Sequence, residues 1–334
     1  MTNTQRTILV TGAAGFIGSH VAQRLRRSGA HVVALDNLDP FYDIALKQNN
    51  LDAVGAVDAD GSFECIEGDI RDEVLIERLF AEHRFASVIH LAARAGVRPS
   101  IDQPALYTDV NVNGTTVLLE AARRHGCRRF ILASSSSVYG NNSKVPFAET
   151  DDVSNPISPY AATKRSCELI AHTYHALYGL PIACLRFFTV FGPRQRPDLA
   201  ISRFLHVLDQ QIPETMFGDG SASRDFTYID DIVNGVFAAL EQIDSHGFRI
   251  WNLGGSHPVT MNEVIEVISR VVGKASTIVP GPARPGDVDR TFADLTRSNA
   301  ELGFAPTTTL EEGIARQWEW MQGRTSAATA GHGA

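Results

Sequence analysis

Thr11-Gly12-Ala13-Ala14-Gly15-Phe16-Ile17-Gly18 follows a short β-branched and apolar run, Thr7 to Val10, and opens a helical pattern that continues to Arg27. Glycines at this spacing permit a tight turn and let backbone N–H groups approach a pyrophosphate, whose charge the helix N-terminus favours. A glycine motif alone is weak evidence, and it is the strand–loop–helix context that gives this one weight. The next apolar run, His31 to Leu35, ends at Asp36, 18 residues beyond Gly18. A carboxylate there can accept both hydroxyls of an adenosine ribose. It would repel a 2′-phosphate, and no Arg follows at position 37 to offset that. The stretch therefore predicts a bound NAD.

Outward from this loop the first half alternates short buried strands with amphipathic helices. Strands are expected at Phe63 to Ile66, Ser87 to Leu91, Arg129 to Ala133 and Ile182 to Phe187. Helices are expected at Glu73 to His83, Pro104 to His125 and Pro159 to Tyr178. This is the pattern of an α/β fold, a doubly wound parallel sheet of the Rossmann type. From Gly192 onward prolines interrupt the pattern, and helices recur at Leu199 to Gln210, Asp230 to Gln242, Met261 to Val272 and Leu310 to Met321. We expect an NAD-binding domain over 1–190 and a smaller mixed α/β substrate-binding cap over 191–322, with the chain passing between them more than once. A flexible tail is expected over 323–334.

Of the 334 residues 44% are apolar and 20% charged, enough for a sizeable core and too few charges for a disordered chain. The net charge of −8 invites neither nucleic acid nor a lipid surface. No apolar stretch approaches the roughly 18–20 residues that span a bilayer. The polar start, Met1 to Arg6, predicts no signal peptide. Cys65, Cys127, Cys167 and Cys184 lie far apart with no His at ligand spacing, and read as reduced thiols of a cytoplasmic protein rather than metal ligands; no metal is expected.

Asp69-Ile70 and Leu91-Ala92-Ala93 stand at carboxyl ends of expected strands, where ligands bind in such sheets. The fifth strand ends in Ser134-Ser135-Ser136-Ser137-Val138-Tyr139-Gly140, whose hydroxyls could bond a substrate hydroxyl or oxyanion. Tyr160 and Lys164, four apart at the start of a helix, share a face. A free tyrosine titrates near pH 10, and a tyrosine base near neutrality must bridge roughly three pH units, about 4 kcal/mol. A neighbouring Lys⁺ and a positive nicotinamide both favour phenolate.

On these motifs the chain, from Thr7 to about Met321, resembles the extended short-chain dehydrogenase/reductases that act on nucleotide sugars. The resemblance implies a catalytic trio of Ser135, Tyr160 and Lys164, and a tightly held NAD used and regenerated in each turnover. It places Gly12, Gly15, Phe16, Ile17, Gly18, Asp36, Asn37, Asp69, Ile70, Leu91, Ala92, Ala93, Asn111 and Ser134 beside that cofactor. The 4,6-dehydratases of the family carry Asp-Glu, and the uronate decarboxylases Ser-Glu, just before Val-Tyr-Gly; here Ser136 and Ser137 stand there. That departure favours a 4-epimerase. The run Phe187-Phe188-Thr189-Val190-Phe191-Gly192-Pro193 ending in Arg196-Pro197-Asp198 resembles the UDP-glucuronate 4-epimerases, whereas UDP-galactose 4-epimerases usually have Asn at the place of Thr189.

Ser136, Ser137, Thr189 and Arg196 could then bind a C6 carboxylate. The resemblance also places Phe217, Arg224, Arg284 and Asp287 around the UDP, with Arg98 pointing toward the cleft. It implies a homodimer joined through the helices around Pro104 to His125 and Pro159 to Tyr178. The remaining alternatives are a UDP-glucose/galactose 4-epimerase, a decarboxylase, and a catalytically silent NAD-binding protein. His90, on the fourth strand, reads as a satisfied core residue.

Overall fold

The computed structural model describes residues 6–282 and 290–330. The chain begins β1 (Thr7–Thr11), α1 (Phe16–Arg27), β2 (His31–Asp36), α2 (Ile44–Gly55), β3 (Phe63–Glu67), α3 (Glu73–His83) and β4 (Ser87–His90). The short helices α4 (Val97–Asp102) and α5 (Pro104–Tyr107) lead to α6 (Gly114–Arg124), β5 (Arg129–Ser135), α7 (Pro159–Tyr178) and β6 (Ile182–Phe187). There follow β7 (Thr189–Phe191), α8 (Ala200–Asp209), β8 (Glu214–Phe217), β9 (Ser223–Tyr228), α9 (Ile229–His246) and β10 (Phe248–Leu253). The chain ends with β11 (Pro258–Thr260), α10 (Met261–Val272), β12 (Ile278–Gly281), α11 (Thr296–Leu302) and α12 (Leu310–Ala330).

Seven parallel strands form the central sheet in the order β10-β6-β5-β4-β1-β2-β3. Alternation along each strand feeds two cores, one on either face. Ile8, Val10, Val32 and Ala34 pack with α1 and α2, while Leu9, Val33 and Leu35 pack with α3 and α6. Because β1 lies between β2 and β4, the strand order reverses there and opens a crevice at the carboxyl ends. β10 returns to this sheet beside β6, and the smaller sheets, β11-β9-β7 and β12-β8, pack outside it.

The helix expected over Pro104 to His125 is not continuous. A π-helical turn over Thr108–Asn113 separates α5 from α6 and swings Asn111 toward the segment after β4. Hydrophobic periodicity also missed α2, whose apolar and polar residues are too mixed to show a stripe. The helix expected to close at Met321 runs on to Ala330, into the stretch expected as a tail. α7 starts where the sequence places it. Ser158 accepts the N–H of Ala161, Pro159 takes the first position, and Gly179 ends the helix at φ 69°.

His90 lies 2% exposed beneath the glycine loop. Thr115 donates its hydroxyl to the carbonyl of Asn111, so it accepts from Nε2 of His90, and Nδ1 accepts from Thr11 at 2.7 Å. Burial and then Lys164 push its pKa down to about 3, so the ring stays neutral. The folded value is depressed. Stability is therefore present above the unfolded value of about 6.5 and is lost as pH falls below it. By pH 5 the share lost to His90 should reach about 2 kcal/mol. Urea unfolding at pH 7 and pH 5 should show that difference shrinking in His90→Gln.

Candidate functional site

The carboxyl ends of the central strands frame a cleft of about 530 Å³. One end is built from β1, α1 and β2. Gly12 adopts φ +69° and lies so near β4 that an added Cβ would stand 2.7 Å from the nitrogen of Ala92. A Cβ on Gly18 would stand 2.0 Å from the carbonyl oxygen of Gly12, so both glycines are required for α1 to approach the sheet. Among the described residues no side chain caps α1 and no acid occupies its first turn, which leaves its N-terminus open to an anion. Gly12, Gly15, Phe16, Ile17 and Gly18 all line the cleft.

Asp36, 8% exposed, closes β2 and accepts backbone N–H groups from Ala14 (3.0 Å) and Leu38 (2.9 Å). Burial raises its pKa, against the pull of Lys47 at 3.9 Å and the two N–H groups. Asn37 donates to Asp69 at 3.0 Å, and Arg71 grips the same carboxylate at 2.7 and 2.9 Å, holding its pKa down at about 2. Asp69, Ile70, Leu91, Ala92 and Ala93 form the floor. A deep glycine cradle, an open helix N-terminus and an acid at the second strand end fit a nicotinamide dinucleotide.

Tyr160, Lys164, Ser135, Ser136, Ser137 and Thr189 line the far end of the cleft. Lys164, 5% exposed, donates from Nζ to the carbonyl of Ala133 at 2.8 Å, which ties α7 to β5. Tyr160 lies one turn earlier, its ring edge-on to Tyr107 at 6.3 Å. Ser135 accepts the N–H of Ser137 at 3.1 Å and caps a short 3₁₀ turn over Ser136–Tyr139. A second hollow of about 150 Å³ adjoins this end. Val97, Ser136, Ser137 and Thr189 belong to both walls, and Arg224 and Thr291 belong to the smaller one.

Several expected residues are held by neighbouring protein groups. Asn111, expected at the cofactor, is fully buried. It accepts the N–H of Arg94 at 2.8 Å and donates to Arg94 O and Thr163 Oγ1 at 3.1 and 3.0 Å, so protein groups take both of its N–H donors. Ser134 reaches the cleft wall, but its hydroxyl is donated to Glu168 at 2.6 Å. Arg196 lines the larger cleft with its fork on Asp198 at 2.9 and 2.7 Å, so a sugar carboxylate would compete with Asp198 for it. Arg98 and Phe217 form neither wall; the guanidinium stacks 4.7 Å above the ring. Arg284 and Asp287 lie outside the described residues.

Sequence reasoning missed Lys47, Asp39, Phe41, Tyr42 and Arg94, all in the wall. Arg94 pairs with Asp39 at 2.5 Å, and Arg94 and Arg196 both lie over Phe41, at 5.4 and 5.0 Å. The aromatic pair Phe41-Tyr42 just after the predicted ribose-binding strand was the available signal.

Fold and site together define a dinucleotide-binding protein of the extended short-chain dehydrogenase/reductase class. The chain belongs to the family described as GDP-mannose 4,6 dehydratase, whose model matches residues 9–317. It is 42% identical over 315 residues to a UDP-glucuronate 4-epimerase of Thermodesulfobacterium geofontis, covering 94% of this chain and 95% of the relative. It is similar to the crystal structure of UDP-glucuronic acid 4-epimerase from Bacillus cereus in complex with UDP-glucuronic acid and NAD. The identity there is 37% and the TM-score 0.88, over 95% of this chain and 99% of that one. The UDP-glucose 4-epimerase of Thermotoga maritima with UDP-glucose gives 34% and 0.85, over 96% and 99%.

Proposed function

We propose that this chain is an NAD-dependent UDP-glucuronate 4-epimerase, interconverting UDP-glucuronate and UDP-galacturonate. The relatives named above support the reading at family level. Within the site, the observation that carries it is the hydroxyl set Ser136, Ser137 and Thr189, shared by both hollows, with no carboxylate among the described residues lining the smaller one.

NAD, when bound, accepts a hydride from C4 of the sugar and returns it to the other face. The chain's own residues do the rest. Tyr160 takes the C4 hydroxyl proton as the hydride leaves and gives it back on return. Lys164, pinned by the Ala133 carbonyl, sets a positive charge one turn along the helix from the phenolate and holds the nicotinamide ribose. Ser135 bonds the C4 oxygen. Asp36 takes the adenosine ribose, Asp69-Ile70 flank the adenine, and α1 receives the pyrophosphate. Arg224, on the wall of the smaller hollow, holds the UDP diphosphate, with Arg284 and Asp287 assigned to the same end by resemblance.

The 4-keto uronate is a β-keto acid and loses CO₂ when its carboxylate stands perpendicular to the carbonyl. The three hydroxyls keep the carboxylate near the carbonyl plane and suppress that loss. Thr189→Ala should therefore raise the UDP-pentose share of the product about tenfold, the effect of losing one hydrogen bond to a charged group. Unchanged product ratios would remove the hydroxyls from this role. A UDP-glucose 4-epimerase is the second reading, favoured because Asp198 occupies the fork of Arg196 and hydroxyls also accept a neutral hydroxymethyl group.

The test is incubation of purified chain with UDP-glucuronate and no added NAD, with products resolved. UDP-galacturonate without pentose supports the proposal and a retained cofactor together. UDP-pentose as main product overturns the reading of the serine run. Turnover of UDP-glucose alone leaves Ser135, Tyr160 and Lys164 standing and overturns the carboxylate assignment.

A cytoplasmic location and a homodimer complete the proposal. Four free thiols, three of them buried, support the first. Leu169, Leu177 and Tyr178 of α7, 53%, 71% and 53% exposed, support pairing through that helix. Among the described residues no helix is long and apolar enough to cross a membrane.

A further inference from the structure

We propose that His31, Glu64 and His83 form a binding site for one divalent transition-metal ion of the zinc class, at the end of the sheet opposite the cofactor cleft. Their ligand atoms all lie within 4.8 Å of one another, and Nε2 of His83 stands 3.9 Å from Oε2 of Glu64. A tetrahedral ion with bonds of roughly 2.0–2.1 Å needs donors about 3.3 Å apart, a closing that side-chain rotation supplies.

The register of the sheet brings the three together. Along β2, His31 shares a face with Val33 and Leu35, which pack against Leu79 and Phe80 of α3. On the edge strand β3, Glu64 is paired with Val33 and so lies on that same face. His83 is the last residue of α3 and reaches the sheet where both side chains emerge. Both rings are already oriented. Nδ1 of His31 is hydrogen-bonded to the hydroxyl of Ser62 at 2.6 Å, and with Nδ1–H donating there Nε2 is left to bind an ion. His83 stacks on Phe85 at 5.5 Å with an interplanar angle of 20°, and the two imidazole centroids are 6.1 Å apart.

Two imidazole nitrogens and one carboxylate oxygen form a three-ligand set that suits zinc, nickel or copper and leaves a position for water. His31 begins β2 and Asp36 ends it, so the ion would sit about 16 Å along the strand from the ribose carboxylate. Its effect is therefore structural: it fastens the C-terminal end of α3 to β3, the strand at the edge of the sheet among the described residues.

The experiment uses the tag-free full chain with its bound cofactor, stripped by chelator and titrated calorimetrically with zinc alone. One ion per chain is expected. His31→Ala and His83→Ala should each weaken binding at least tenfold, and Glu64→Gln, which keeps the side chain's shape, should weaken it measurably. Zinc should raise the melting temperature of the parent chain but not of the histidine variants, and turnover should be the same with and without it. Absence of saturable binding, or one-to-one binding that survives both histidine substitutions, overturns the site.

Discussion

Tyr160→Phe should lower kcat on UDP-glucuronate by about 10²–10⁴-fold, the range for loss of a positioned acid–base group, equivalent to about 3–5 kcal/mol of barrier. The substitution removes one oxygen. The ring keeps its edge-on contact with Tyr107, and α7 keeps its Ser158 cap and its Lys164 tether to Ala133. Cofactor retention, read from the absorbance of the purified chain, should therefore be close to the parent's. Substrate KM should change little, because the phenol contributes chiefly while the C4 proton is in flight. A loss of tenfold or less would mean that another group takes the proton, and Ser135 would then be the first to remove. A large loss accompanied by an empty cofactor site would instead place Tyr160 in binding.

The contrast between what sequence patterns revealed and what they missed follows from the range of the interactions involved. The parallel sheet was legible because its strands are buried on both faces and read as short apolar runs broken by glycine. The glycine loop, Asp36 and the pair Tyr160 and Lys164 were legible because local spacing fixes their placement: a turn, a strand end, one helical turn. The buried setting of Asn111 was not legible, for the opposite reason. Its position is set by a π-helical turn, and nothing in the spacing of Pro104 to His125 marks the extra residue. The ion pair of Arg196 was invisible in the same way, since its fork is occupied by a neighbour two residues on, a choice between rotamers that a sequence does not record. Lys47 and Phe41 were invisible because they come from a helix without an apolar stripe and from the loop before it.

The hydroxyl of Ser134, next to the proposed catalytic serine, leads to the other large effect. Glu168→Ala should destabilise the fold by about 3–5 kcal/mol, the cost of stranding a buried charge. Glu168 and Arg186 are each 1% exposed and paired twice, Nε to Oε1 and Nη2 to Oε2, both at 2.9 Å. Burial alone would raise the carboxyl's pKa; Arg186, then Ser134 and Arg165, outweigh it and hold it low. Without Glu168 the guanidinium keeps its contact with Tyr139, whose ring lies 4.8 Å away, but loses the carboxylate that accepts from both Nε and Nη2. Replacing both partners with methionine should recover most of the loss, because apolar residues of similar volume carry no desolvation cost. Urea unfolding of the parent, the single variant and the double variant measures this. The same comparison separates stability from positioning. Lys164 holds Ala133 and, one turn on, Glu168 holds Ser134, so two successive residues of β5 are fastened to α7. If the second tether also aligns the serine run with Tyr160, the double-methionine chain should refold to near-parental stability yet keep a lower kcat with unchanged cofactor binding. Full recovery of kcat would assign the buried pair to stability alone and leave Lys164 as the tether that sets the site.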